Sequence, residues 1–142
     1  MKVAVIGGGL AGCEAALQLA DRGVKVQLVE CKPIVMSPAH HSSNLAEVVC
    51  SNSFKSNDVN SASGLLKEEL RRLNSKLIAV ADKVAVSAGG ALAVDREKFS
   101  AAVTHLINTH PNITVNYTEA VDFFEGANIV ATGPLTSDKL LN

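Results

Sequence analysis

Apolar positions along the chain come first as an unbroken run, then at helical spacing, then as a run again. Lys2 to Ile6 is apolar and β-branched and breaks into glycines, which predicts a buried parallel strand. Leu10 to Arg22 carries Leu10, Ala11, Ala15, Leu17, Leu19 and Ala20 at helical spacing, with Gly23 placed to end the helix. Val24 to Val29 predicts a second strand that closes at Glu30. Strand, glycine turn, helix and strand together occupy about 30 residues, the size of one βαβ unit.

The pattern then changes. From about 31 to 60 the chain is polar, with Pro33 and Pro38 among histidines, serines and asparagines, and only Leu45 to Val49 reads as helical. A long polar insertion within a domain is more often functional than idle. Ser63 to Leu73 predicts a helix with Leu65, Leu66, Leu70 and Leu73 on one side and Lys67, Glu68, Glu69, Arg71 and Arg72 on a solvated face. Leu77 to Val86 reads as a short helix and then a strand. Gly89 and Gly90 make a turn, Ala91 to Val94 an extended piece, and Asp95 caps a helix that runs to Thr109 before Pro111 stops it. Ile113 to Tyr117, Val121 to Phe124 and Asn128 to Thr132 predict three further strands, the last of them buried and ending in Thr132-Gly133-Pro134.

The resulting order predicts an α/β fold, Rossmann-like, with a central, mainly parallel sheet flanked by helices. Residues 1–142 read as one dinucleotide-binding domain with the polar insertion inside it. No stretch approaches the roughly 20 uninterrupted apolar residues of a membrane span, and the apolar start lacks the basic flank of a signal peptide. A cytoplasmic protein is the expectation. The net charge of −1 argues against a standalone nucleic-acid binder, because phosphate contacts need a basic face. Cys13, Cys31 and Cys50 form no CxxC pair and no zinc-type cluster with histidine, so no metal site is expected.

The chemistry begins at Gly7-Gly8-Gly9-Leu10-Ala11-Gly12, which falls between strand and helix where a pyrophosphate cradle belongs. Gly7 permits the tight turn, Gly9 lets backbone approach the diphosphate, and Gly12 lets the helix pack close to the strand. The helix N-terminus then offers free amides and partial positive charge to the anion. Glu30 ends the second strand about 20 residues past these glycines, where a carboxylate accepts from an adenosine ribose. An acid there disfavours a 2′-phosphate, so FAD or NAD is expected over NADP. The motif by itself does not choose between the two.

Other segments carry a resemblance. Pro38-Ala-His40-His41, Cys50-Ser-Asn-Ser53, Leu66-Lys67-Glu68-Glu69, Gly89-Gly-Ala-Leu-Ala-Val-Asp95-Arg96 and Ala131-Thr-Gly-Pro134 resemble the folate- and FAD-dependent tRNA uracil-5 methyltransferases. These are the TrmFO proteins, related to the GidA/MnmG tRNA-modifying flavoproteins. The resemblance implies FAD on a Rossmann-like domain, NAD(P)H as reductant and 5,10-methylenetetrahydrofolate as one-carbon donor. The product is 5-methyluridine in the T-loop of a tRNA. It further implies that the glycines and Glu30 hold FAD, that Thr132 and Gly133 lie against it, and that Cys50 serves as nucleophile or as acid and base. His40, His41 and Asn52 are candidate substrate-binding residues on the same ground. Family members are much longer than this chain, which implies an N-terminal portion that is truncated or excised, with tRNA binding weak or absent and catalysis by the short chain doubtful. Oligomeric state is not legible.

Several readings stay open beside these. Cys50 is either an accessible thiol or a small buried hydrophobe after Val48-Val49. His40 and His41 either orient a ligand or cap a loop. The same chemistry on ribosomal RNA, a non-catalytic FAD- or NAD-binding module, and an inactive truncated product are the competing functions.

Overall fold

A computed structural model describes residues 2–141; Met1 and Asn142 lie outside the described residues. The first three elements follow the sequence pattern closely: β1 (Lys2–Ile6), α1 (Leu10–Asp21) and β2 (Lys25–Glu30). Gly23 takes φ +81 at the end of α1, a left-handed conformation that glycine adopts without a Cβ penalty. The remaining elements are β3 (Ser53–Ser56), α2 (Ala62–Arg72), α3 (Lys76–Lys83), β4 (Ala85–Val86), β5 (Ala91–Val94), α4 (Arg96–Thr109), β6 (Ile113–Tyr117), β7 (Ala127–Val130) and α5 (Asp138–Leu141).

Four strands form a parallel sheet in the order β6-β2-β1-β7. The chain thus builds outward from β1 through β2 to β6, then returns to the other side of β1 with β7. Between β1 and β7 lies the point where the winding reverses, and ligands of open α/β sheets bind outside the carboxyl ends of the strands at such a point. One face of the sheet carries most of the core, where Val5, Val26 and Leu28 meet Cys13, Ala16 and Leu17 of α1 and Phe99, Val103 and Ile107 of α4. The other face is covered thinly, by Ala120, Phe124 and Leu140 over Ile6 and Val29. No described helix is long and apolar enough to cross a membrane.

A second, antiparallel sheet of order β3-β5-β4 packs against α2 and α3. Leu92 and Val94 of β5 are buried in the main core, and Phe54 of β3 stacks at a tilt on Phe99, ring centres 5.5 Å apart. Asp95 caps α4 as its position predicts, accepting from the Lys98 N–H at 3.1 Å.

Four expectations need correction. Leu45 to Val49 is not helical: Ala46 has φ +50, and the Leu45 and Ala46 N–H groups donate to Thr104 Oγ1 and to the Gly8 carbonyl, so tertiary partners take the groups a helix would use. Val121 to Phe124 is not a strand, because Asn128 ties Phe124 into a tight turn through both its N–H and its carbonyl. α2 buries Gly64 and Lys67 rather than its leucines, and Leu65, Leu66 and Leu73 are exposed. Lys67 Nζ donates to the Phe54 and Ser63 carbonyls, and a Cβ on Gly64 would stand 1.8 Å from the Asp58 carbonyl, so close approach to β3 and to the turn after it decides which face turns inward. β7 is an edge strand, half-buried at Ile129 and exposed at Val130, rather than a fully buried one.

Candidate functional site

At the carboxyl ends of β1, β2 and β7 the glycine turn opens into a cavity of about 400 Å³. Each glycine there has its own geometry. Gly7 sits at φ +106, and a Cβ on it would come within 2.5 Å of the Ala131 carbonyl at the end of β7. A Cβ on Gly8 would meet Glu30 Oε2 and Leu45 Cδ2, both at 2.6 Å. On Gly12 it would stand 1.8 Å from the Gly7 carbonyl, while on Gly9 it would meet nothing within 4 Å. Gly7 and Gly12 therefore let backbone pack on backbone, Gly8 leaves room for the Glu30 and Leu45 side chains, and Gly9 keeps the cavity mouth clear. Gly9 is also the N-cap of α1 and gives it no side-chain acceptor, so the first amides of the helix remain for an external anion.

Glu30 is 5% exposed and already organised. Its Oε2 accepts the Gly8 N–H at 2.7 Å and its Oε1 accepts the Lys32 N–H at 2.8 Å. The Cys31 thiol adds a longer bond to Oε1 at 3.4 Å. A carboxylate offers about four acceptor positions, so a ribose hydroxyl can still be taken up. Open glycine mouth, uncapped helix start and fixed acid suit the diphosphate and ribose of a dinucleotide.

The polar insertion forms one wall of the cavity. Lys32 is 3% exposed, and its ammonium donates to the Ser42 carbonyl at 3.1 Å, the Asn44 carbonyl at 2.6 Å and Glu47 Oε2 at 3.2 Å. Glu47 Oε1 accepts the His41 N–H at 2.9 Å. Burial opposes ionisation of Glu47, but the bonds from His41 and Lys32 outweigh it and hold the carboxyl below its ordinary range. Within the same wall His40 Nδ1 and Ser37 Oγ lie 2.5 Å apart. Lys32, Glu47 and Ser37 are site residues that the sequence pattern did not single out. One signal was present: between Glu30 and Asp58 the chain holds a single acid, Glu47, for the lysine that follows the strand.

Of the residues singled out from the sequence, Gly7, Gly8, Gly9, Glu30, His40 and Thr132 line this cavity. Leu10, Ala11 and Gly12 stand behind it as the first turn of α1, and Gly12 is buried. Gly133 takes φ +69 in the turn after β7, next to the cavity-lining Thr132 and Pro134. His41, Cys50 and Asn52 are exposed and are not part of the cavity wall. Asn52 anchors its segment through its carbonyl, which accepts the Val94 N–H at 2.9 Å. No cluster of three or more metal-ligating side chains occurs among the described residues.

The three thiols differ sharply. Cys13 is buried and bonded to the Gly8 carbonyl, and burial together with the Glu30 charge pushes its pKa up to about 12. Burial and Glu30 also raise the half-buried Cys31. Cys50 is exposed. A maleimide titration at pH 7 is expected to label Cys50 rapidly, Cys31 slowly and Cys13 only on unfolding; rapid labelling that survives Cys50→Ser would contradict this order.

Fold and cradle define a dinucleotide-binding α/β protein. A family model described as glucose inhibited division protein A matches residues 2–139, and the chain belongs to that family. The protein named methylenetetrahydrofolate–tRNA-(uracil-5-)-methyltransferase TrmFO from Staphylococcus saprophyticus is 56% identical over 140 residues, covering 99% of this chain and 32% of that protein. Its namesakes in Bacillus subtilis and Enterococcus faecalis are 56% and 55% identical, over 97% and 98% of this chain and again 32% of theirs. The chain therefore spans about a third of the length of these relatives. The solved structure of Aquifex aeolicus GidA shares the fold, with a TM-score of 0.68 and 19% identity over 88% of this chain and 21% of that one.

Proposed function

We propose that this chain is the FAD-holding portion of a methylenetetrahydrofolate-dependent tRNA uracil-5 methyltransferase. The observation that carries the reading is the cradle at the sheet's reversal point, where Gly8 N–H and Glu30 are locked together beside an open Gly9. The names of relatives that match almost the whole chain support the reaction, and the acid at Glu30 supports an unphosphorylated ribose. Gly7 to Gly12 receive the diphosphate, Glu30 the ribose, and Thr132 with Gly133 the ligand's far side. FAD, when bound, supplies the redox chemistry by which a folate-borne one-carbon unit becomes a methyl group, with NAD(P)H as reductant.

Cys50 is assigned to the pyrimidine, as nucleophile or as acid and base, on the strength of its exposed thiol in an anchored segment. It stands outside the cavity wall, which suits a group that meets RNA rather than cofactor. His40, His41 and Asn52 are assigned to substrate, His40 from within the cavity wall and the other two from outside it. Purified chain incubated with FAD is expected to retain a visible flavin band through gel filtration. A colourless chain that takes up only NAD would overturn the FAD assignment. Methyl transfer to a T-loop RNA is expected from a chain of the relatives' length and not from these 142 residues.

A further inference from the structure

A buried lysine in a ligand cavity invites assignment as a phosphate ligand. The geometry around Lys32 points elsewhere. Its side chain is 4% exposed, and three oxygens lie at 3.1, 2.6 and 3.2 Å from Nζ, which uses all three of its N–H donors. Nothing is left on this ammonium for an incoming anion.

What Lys32 does hold is a closed circuit. Its backbone N–H orients Glu30 Oε1, and Glu30 Oε2 orients the Gly8 N–H. The Gly8 carbonyl in turn accepts the Ala46 N–H at 2.8 Å, which pins the end of the insertion to the glycine turn. From Ala46 the chain leads to Glu47 and back to the Lys32 ammonium. One residue therefore fixes the acid with its main chain and the loop of residues 37–47 with its side chain. Removing the ammonium would leave two carbonyls and Glu47 Oε2 part-buried without this donor, an incentive for the loop to rearrange.

We propose that Lys32 is a positioning residue for the adenosine diphosphate half of the ligand, coupling ribose capture at Glu30 to closure of the 37–47 loop over it. The proposal rests on the dinucleotide reading and adds a residue and a half-site to it. The loop carries Ser37 and His40 into the cavity wall, so its placement decides what the adenosine end meets.

The test compares the unsubstituted chain with Lys32→Met, which keeps the unbranched stem and removes the ammonium, and with Glu47→Gln, a milder change for use should the first variant not fold. Affinities for FAD, ADP and FMN are measured by calorimetry. Amide hydrogen exchange across residues 37–47 is followed with and without saturating ADP. The expected result is about a tenfold or greater loss for both FAD and ADP by the same factor. The exchange protection that ADP confers on the loop is also expected to disappear even at saturation. A merely structural lysine would speed exchange in free and bound chains alike and leave that ADP-induced increment in place. Unchanged ADP affinity, or a retained increment, overturns the proposal. If the unsubstituted chain binds neither ADP nor FAD, the dinucleotide reading itself falls; equal binding by both chains removes only the part given to Lys32.

Discussion

Gly12→Ala is expected to destabilise the chain by roughly 3 kcal/mol, the upper range for forcing a methyl into a packed site, and to abolish dinucleotide binding. Alanine is the better helix former, by up to about 1 kcal/mol, so intrinsic propensity alone predicts a gain. Geometry decides against it, because the new Cβ would lie 1.8 Å from the Gly7 carbonyl. That neighbour is backbone, in a turn already held against Ala131, and it has nowhere to go. The start of α1 must back away, which spoils both its packing on β1 and its aim at the cavity. Gly9→Ala is the milder control: its Cβ meets nothing within 4 Å, so the expected cost is only the roughly 1 kcal/mol or less by which alanine is a poorer N-cap than glycine. Urea unfolding of both variants checks this, and a Gly12→Ala chain within 1 kcal/mol of the parent would refute the close-packing role.

Glu30→Ala is expected to weaken dinucleotide affinity roughly 100-fold, from the loss of charge-assisted bonds worth about 1.5–3 kcal/mol each. The substitution does more than remove a ribose partner. It strands the Gly8 and Lys32 N–H groups in a buried place and frees the glycine turn to move. Glu30→Gln is not a neutral replacement, because an amide has one acceptor oxygen where two donors converge on the two carboxylate oxygens. An intermediate loss is therefore expected. Calorimetric titration of the three chains decides it, and equal affinity of Glu30→Ala and parent would remove Glu30 from the site. A second readout is available in Cys13, whose pKa should fall once the Glu30 charge is gone.

Much of this site was legible because its residues are local. Strand, glycines, helix and acid lie in one stretch, and each is a type that only one geometry readily explains. Asp95 was legible for the same reason, as a cap three residues from its partner. What the pattern could not reveal depended on distant partners. Leu45 to Val49 has helical composition, yet Thr104 and Gly8 capture its amides from elsewhere in the chain. Lys67 carries a charge that reads as solvated, yet two carbonyls accept its ammonium under α2. Lys32 resembles any lysine of a polar loop until Glu47 and the Ser42 and Asn44 carbonyls are seen to converge on it. The identity of the ligand was likewise beyond the glycines alone and came from segments spread along the chain.

The pairing of β1 with β7 has a consequence for the order in which this protein comes into being. Val3 lies opposite Ala127, so the second edge of β1 stays open until β7, far along the chain, has been made. The β1-α1-β2 unit is local in sequence and forms early on a chain growing from its N-terminus, whereas contacts of long separation form late. Ala131, which backs Gly7, belongs to that late group. Readiness to take up a ligand then comes only once β7 has joined the sheet, after the glycine turn itself has folded, and a ribosome stalled before β7 emerges would carry a cradle without its back wall.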